Sequence, residues 1–333
     1  MIKVSFILPC YNAGSFIEDG LRSIYAQPLS EDEFEVICVN DCSTDDTHDI
    51  IASLQKKHAN LILIDQPRNL YSGAARNRGL DIARGDYIWF VDSDDMIKPD
   101  CLKRMLDVAY SEDLDILLFN YDEFKDGAPD TLLSRRDLFR ETLTMSGNAF
   151  VSKEFRRRLR KLSLLWVRLA RRSFIEENHI RFPDLYISQD CPFAWESILL
   201  AGRVKAVKER FYLYRSNEGS ITSNRNTAKK ASVWSFQLPF EIKRVKRKVD
   251  GKVSKSVIRD LEQIIRDEVN QFAIRYNKLP SSERSRYYAS LRSTKGWYKE
   301  FRPYLSRKNR FAFLSSFLGE FAFRIVSGQL SDK

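Results

Sequence analysis

The 333 residues are 43% hydrophobic and 30% charged, an ordinary globular composition with room for one large domain or two smaller ones. Five cysteines, at 10, 38, 42, 101 and 191, include no C-x-x-C pair, and there are only three histidines, which argues against a disulfide framework and against a cysteine or histidine metal centre. The net charge of +10 hides an asymmetry: residues 1–150 hold 15 Lys+Arg against 27 Asp+Glu, a balance of −12, while residues 151–333 hold 40 against 18, a balance of +22. A basic half beside an acidic one suits an anionic substrate or an anionic membrane surface. The chain opens on a strand-like run, with no leader pattern and no apolar run of membrane-spanning length, so a cytoplasmic setting is expected.

Strand-like runs fall at 3–8, 35–40, 61–65, 87–91 and 115–120. Helical patterns lie between them. The first places Phe16, Ile17, Leu21, Ile24 and Tyr25 on one face, with Ser15 and Glu18 at capping-box spacing. The second has Ser43 and Asp46 at the same spacing before Ile50, Ile51 and Leu54. The third runs from Ser72 to Ala83 through Gly73, Ala74 and Ala75, and the fourth starts at Pro99 with Leu102, Met105, Leu106 and Ala109 inward. This βαβα rhythm predicts an α/β fold, a mostly parallel central sheet flanked by helices, with ligands beyond the carboxyl ends of its strands. Residues 122–146 read as a charged loop. A second block, 147–222, carries Trp166, Phe182, Tyr186, Trp195 and a strand-like Arg210 to Tyr214. From 227 the chain reads as basic helices. The last of them, 309–326, aligns Phe311, Leu314, Phe317, Leu318, Phe321 and Ile325 behind Arg307, Lys308 and Arg310.

Three polar clusters sit at strand ends: Pro9-Cys10-Tyr11-Asn12, Asn40-Asp41-Cys42-Ser43 and Asp92-Ser93-Asp94-Asp95. In the last, three carboxylates within four residues follow a buried strand. They would repel one another there without a partner. A divalent cation answers this: oxygen ligands suit Mg²⁺ or Mn²⁺, which also holds a substrate phosphate. The competing reading is a solvated turn before a helix. Tyr11 either stacks on a nucleobase or fills the core beneath its loop. Asp41 either accepts from a base N–H, as uracil N3–H would offer, or caps the next helix. Arg76 and Arg78 either neutralise a diphosphate or lie on a solvated helix face.

In this order the blocks strongly resemble the family 2 inverting glycosyltransferases, whose nucleotide-binding α/β fold is of the A type (GT-A). The resemblance runs from Val4-Ser5-Phe6-Ile7-Leu8-Pro9-Cys10-Tyr11-Asn12 through Val39-Asn40-Asp41-Cys42-Ser43-Thr44-Asp45 and Ala74-Ala75-Arg76-Asn77-Arg78-Gly79. It continues in Gly85 to Asp95, in Gln189-Asp190 and in Tyr214 to Thr222. It implies that Pro9, Tyr11, Asn12 and Asp41 meet the base, usually uracil, and that Arg76 faces the diphosphate. Asp92, Asp94 and Asp95 stand where the family's D-x-D element grips the ribose and, through Mn²⁺ or Mg²⁺ on Asp94 and Asp95, the diphosphate. Asp190 matches the catalytic base; its competing reading is a cap at the start of the helix that carries Phe193 to Leu200, and the two roles can coexist. The family usually has Glu-Asp there, so Gln189 leaves Asp190 as the one carboxylate at that point of the motif. Asn40 stands where Asp is common, and Cys42 where Gly is common, at the cost of glycine's conformational freedom. Arg215 and the Ser220-Ile221-Thr222 run would close over the diphosphate or line the acceptor cleft.

The resemblance implies transfer of a hexose-type sugar from a UDP-sugar to a glycan or lipid-linked acceptor, in bacterial surface polysaccharide synthesis. It also implies a division into a GT-A unit at 1–225, with a donor half at 1–121 and an acceptor half at 122–225, and a basic helical extension at 226–333. Residues 303–333 either form part of a solvated helical bundle that packs on itself or suit an anionic lipid surface, which would make the protein peripheral at the inner membrane face. A nucleotidyltransferase would carry a Gly-rich, lysine-bearing phosphate loop, which Pro9–Asn12 lacks. Nucleic acid is disfavoured as a partner because the acidic edge repels phosphates. A silent nucleotide-sugar binder remains the third alternative.

Overall fold

The structure is a computed structural model that describes residues 1–155, 158–216, 236–278 and 297–310. Its strands are β1 (Val4–Cys10), β2 (Phe34–Asn40), β3 (Leu61–Asp65), β4 (Tyr87–Phe90), β5 (Met96–Ile97), β6 (Ile116–Lys125), β7 (Ala128–Arg136), β8 (Arg168–Arg171) and β9 (Val204–Ser216). The helices are α1 (Ile17–Tyr25), α2 (Thr47–Gln55), α3 (Tyr71–Leu80), α4 (Cys101–Ser111), α5 (Gly147–Glu154), α6 (Arg172–Glu177), α7 (Asp190–Leu200), α8 (Leu238–Val249), α9 (Lys255–Asn277) and α10 (Trp297–Phe301).

All nine strands join one sheet in the order β3-β2-β1-β4-β8-β6-β9-β5, with β7 paired to β6. The β1–β2, β2–β3, β1–β4 and β6–β9 pairs are parallel, and β8 runs antiparallel between β4 and β6. β5 and β7 also run antiparallel, to β9 and β6, but six of the nine strands point the same way, so the sheet is mostly parallel in direction, as the βαβα rhythm predicts. Every residue of β2 and β4 is buried, which fits strands covered on both faces.

The register opens a crevice. β1 pairs with β2 as far as Cys10–Asn40, but with β4 only as far as Ile7–Phe90. The Ile7 carbonyl accepts from Val91 N and the Cys10 carbonyl from Asp41 N, so alternate residues of β1 face opposite neighbours. Pro9 then falls on the β4 side, just beyond the point where β4 ends. A proline can occupy a central strand there because the missing N–H has no ladder partner to lose. The connection order reverses between β1 and β4, where such sheets bind ligands.

The structure corrects several local expectations. α1 begins at Ile17 behind Phe16, and α2 at Thr47 behind Asp46, neither with a side-chain cap bond. Ser43 Oγ instead accepts from Asn12 N at 3.1 Å, tying the β2 loop to the β1 loop. Pro99 does not open α4, which starts at Cys101. Its cap comes from Gln27 Oε1, which accepts from the amides of Cys101 and Leu102, both at 3.1 Å. The expected loop at 122–146 is largely a hairpin, β6 running to Lys125 and β7 from Ala128 to Arg136. The segment after β7 is held by Asn120 Oδ1, which accepts from Leu138 N at 2.7 Å and Phe139 N at 2.8 Å. The expected strand at Arg210–Tyr214 is the end of the much longer β9.

The basic helices α8 and α9 pack on each other and on α7 and α5. α8 and α9 share one apolar core with the sheet, through Leu238, Ile242, Val245, Val257, Leu261 and Ile265 among others. The Ser220-Ile221-Thr222 run and the Phe311–Ile325 stripe lie outside the described residues. No described helix is long and apolar enough to cross a membrane.

Candidate active site

The three loop clusters meet at the carboxyl edge of β1, β2 and β4. Asn12 takes a left-handed φ of 50°, and its Oδ1 accepts from Thr44 N at 2.8 Å. Asparagine tolerates that conformation better than most residues. Cys42 also sits at a positive φ, 62°, so the turn that commonly holds glycine is kept without it. Tyr11 is half exposed. Asp41 is buried, and it does not cap α2: its Oδ1 accepts from Gln66 Nε2 at 2.6 Å and from Leu70 N at 2.7 Å. Asp41 thus fixes the loop that leads into α3.

The carboxylates expected to share a cation diverge. Asp92 Oδ1 accepts from Arg76 at 2.7 Å. Asp95 is 1% exposed, with Oδ2 accepting from the Tyr212 hydroxyl and Oδ1 from Arg215 N, both at 2.7 Å. The reason lies in the next residues. Met96 and Ile97 form β5 against Leu213 and Tyr212 of β9, which pulls Asp95 under the sheet edge. The Tyr212 hydroxyl also accepts from Asp92 N at 3.1 Å, so one group holds both ends of the turn. α1 presses on the turn as well: a Cβ at Gly20 would stand 2.9 Å from the Asp95 carbonyl. Burial pushes the Asp95 carboxyl well up, Asp94 and Asp92 push it further, and its two donors pull it back.

Arg215 does not reach the cleft. It is buried, with Nε donating to the Asp94 carbonyl at 2.6 Å and NH1 to Asp126 at 2.7 Å, and it lies over the rings of Phe16 and Phe124. It braces the acidic turn from behind.

Asp190 is the first residue of α7, behind Gln189. Burial pushes its carboxyl up, the Arg76 charge pulls it down, and the Asp92 charge pushes it up again. Arg76 therefore stands between two acidic stations, bonded to one and felt by the other. It is itself nearly buried, 5.6 Å above the Phe182 ring, which stacks on Phe193 of α7 at 4.0 Å. A second buried cation, Arg168, has its pKa pushed down to about 10 by burial and drawn back by the Asp190 charge. The wall that carries Asp190 is fastened to α3. Asn77 exchanges two 2.9 Å bonds with the backbone of Phe182, and Gln189 Nε2 donates to Ser72 Oγ. A Cβ at Gly73 would stand 2.8 Å from Gln189 Cγ, so only glycine permits that approach.

Sequence reasoning missed Gln66, Phe182, Arg168 and Tyr212 because each acts on a predicted site residue from a distant element. Half-open pockets of about 550 and 360 Å³ lie elsewhere, and their linings hold none of the loop clusters. Among the described residues, no three His, Cys, Asp or Glu side chains assemble into a set that could hold a metal ion. One or two carboxylates with substrate phosphates are the usual setting for Mg²⁺. The oxygen chemistry of Asp94, beside Asp92, fits that smaller donor set; Asp95, with both oxygens taken by protein donors, fits it less well.

The model of the glycosyl transferase family 2 matches residues 5–171, a span that takes in the three clusters and Arg76. The chain belongs to that family. The putative glycosyltransferase EpsH of Bacillus subtilis (strain 168) is 34% identical to this family 2 chain over 222 residues, which are 66% of this chain and 62% of EpsH. The chain thus spans less than two thirds of that relative's length. The putative teichuronic acid biosynthesis glycosyltransferase TuaG of the same organism is 30% identical over 243 residues, 70% of this chain and 87% of TuaG. The crystal structure of S. aureus TarS 1–349 in complex with UDP-GlcNAc covers 99% of this chain and 93% of its own, with a TM-score of 0.66 at 21% identity. That likeness establishes the GT-A fold.

Proposed function

We propose that this chain is an inverting, metal-assisted glycosyltransferase that moves a hexose-type sugar from a UDP-sugar to a hydroxyl of a glycan or lipid-linked acceptor. The observation that carries the reading is the pairing of two acidic stations across Arg76: Asp92 and Asp94 on the donor side, and Asp190, its pKa raised, on the other. Tyr11 would stack on the base. Asp41 would meet the base N–H through Oδ2, since Oδ1 already holds the 66–70 loop.

Transfer breaks the bond from the anomeric carbon to the diphosphate, and the electron pair leaves with the diphosphate. A Mg²⁺ or Mn²⁺ on Asp94 and Asp92 would neutralise charge on that leaving group. Arg76 adds a fixed positive charge at the same place, already oriented by Asp92. Asp190 takes the proton from the attacking hydroxyl as its oxygen bonds to the anomeric carbon from the opposite face. A base needs enough affinity for that proton, and burial gives Asp190 more than an exposed aspartate has. The family match and the GT-A fold support this reading, as does a neighbour that binds UDP-GlcNAc.

The test is a panel of UDP-sugars with Mn²⁺, with and without a panel of methyl glycoside acceptors, following UDP release in the wild type and in Asp190→Asn. The variant should lose acceptor-dependent turnover by about 10²- to 10⁴-fold while binding the donor as before. Undiminished turnover would remove Asp190 as the base.

A further inference from the structure

Two tyrosines stand on the wall that carries the base. Tyr71 opens α3 and Tyr186 lies four residues before Asp190. Their rings meet edge to face, with centroids 4.6 Å apart, yet they remain 41% and 42% exposed. Chain geometry holds Tyr186 within about 14 Å of Asp190. Tyr71 is adjacent to Ser72, which bonds Gln189, the neighbour of Asp190.

The backbone there is strained. Tyr71 has φ 68° and Ser188 φ 62°. For a bulky side chain that conformation is an outlier that the surroundings must enforce, and such outliers gather at functional sites. Gln189 adds a further sign. It is 7% exposed, its Nε2 is bonded to Ser72, and its Oε1 is buried without a partner. Turning the amide over would only exchange which of the two atoms is left unsatisfied. A buried amide oxygen of this kind calls for a donor, and a sugar hydroxyl is one.

The charge on this wall points to one kind of acceptor. Tyr71, Ser72, Gly73, Tyr186, Ser188 and Gln189 are neutral, the flanking Asp184 and Asp190 are acidic, and the nearby Arg76 is already paired with Asp92. A phosphate-bearing unit would be repelled, whereas a pyranose presents apolar C–H faces to an aromatic ring and hydroxyls to an amide. We propose that Tyr71, Tyr186 and Gln189 form the acceptor subsite and hold an uncharged hexopyranose ring with one hydroxyl toward Asp190. This deepens the proposed function and rests on it for the role of Asp190.

The probe is saturation-transfer NMR on the full chain with a panel of methyl hexopyranosides, and with ribitol 5-phosphate as the charged comparison. At least one pyranoside should receive saturation on its ring C–H protons, and the signal should fall about tenfold in Tyr71→Ala/Tyr186→Ala. Tyr186→Ala alone should give an intermediate loss. Gln189→Leu should weaken the same pyranoside while leaving the ring contacts in place. Saturation of no pyranoside, equal saturation in wild type and the double variant, or saturation of ribitol 5-phosphate instead would overturn the subsite. Acceptor-independent UDP release from the donor panel, measured in parallel, separates the two proposals. Release retained in the double variant leaves the donor reading standing whatever the NMR shows, and no release in the wild type counts against the donor reading alone.

Discussion

Glu196 offers a sharp test of how the second half supports the site. It lies on α7, six residues after Asp190, which is about 9 Å along the helix. Its side chain is fully buried. Oε2 accepts from Arg244 NH1 at 2.7 Å, Oε1 pairs with Lys248, and both cations come from α8. Arg244→Met with Lys248→Met would leave the carboxylate buried without a counter-charge. Breaking a buried pair on one side costs about 3–5 kcal/mol, because the remaining charge is unsolvated. The two cations are only partly buried, so the reverse change, Glu196→Met, lets them return to water and should cost less. The triple variant, Glu196→Met with both α8 changes, replaces the ionic cluster with apolar groups and should recover most of the loss. Thermal unfolding reads this as a fall on the order of 10 °C for the α8 double variant. Trp195 beside Glu196 is a natural fluorescence reporter. A double variant within about 1 kcal/mol of wild type, or a triple variant no better than the double, would refute the idea that Glu196 clamps α8 to the helix that carries Asp190.

Three further outcomes are expected. Because burial raises the folded pKa of Asp190, the native state holds its proton more tightly than the unfolded chain. Its ionisation therefore destabilises the fold progressively as pH rises from the ordinary carboxylate range through the raised value; Asp190→Asn should be more stable than wild type at pH 8, and the gap should close on acidification, as read by thermal unfolding. Arg76→Gln removes the largest influence opposing that shift, so the acidic limb of the pH–rate profile should move to higher pH, and a limb that stays put would remove Arg76 from the electrostatics of the proposed base. Cys42→Gly relieves a left-handed φ of 62° at a gain of up to about 1 kcal/mol, less the entropy glycine adds to the unfolded chain, so a fall in melting temperature would contradict the strain.

The sheet was legible because its signals are local. β1 through β4 are short apolar runs of buried residues, and four of the five predicted strands match to within about two residues at either end. β6 was foreshortened for a physical reason. Beyond Asn120 its buried positions include Asp122, which is bonded by Lys98 and has the Arg210 charge 3.3 Å away, both from other strands and loops. Hydrophobic alternation cannot register a buried charge whose partners are remote. The helix starts failed in the same way. Gln27 caps α4 from 74 positions away, and Ser43, although suitably placed to cap, bonds Asn12 instead.

The site shows what spacing alone withholds. Three aspartates in four residues look like one cluster if only their own mutual repulsion is considered. The fold resolves that repulsion by sending them to different partners: Asp92 to Arg76, 16 positions upstream, and Asp95 to Tyr212 and Arg215, 117 and 120 positions downstream. The motif thus has a structural half and, in the proposed function, a chemical half. Asp95 anchors the turn to β9, Arg215 braces it through the Asp94 carbonyl, and the side chains of Asp92 and Asp94 stay at the sheet edge where a diphosphate and its cation would sit. The same division explains why Arg215 read as a site residue. It stands beside the chemistry in sequence pattern, but its guanidinium is spent on Asp94, Asp126 and Asp19 and on two aromatic faces, so its contribution is to hold the turn in shape. A change at Arg215 should therefore act on the position of Asp94, and through it on donor binding, before it acts on the chemical step.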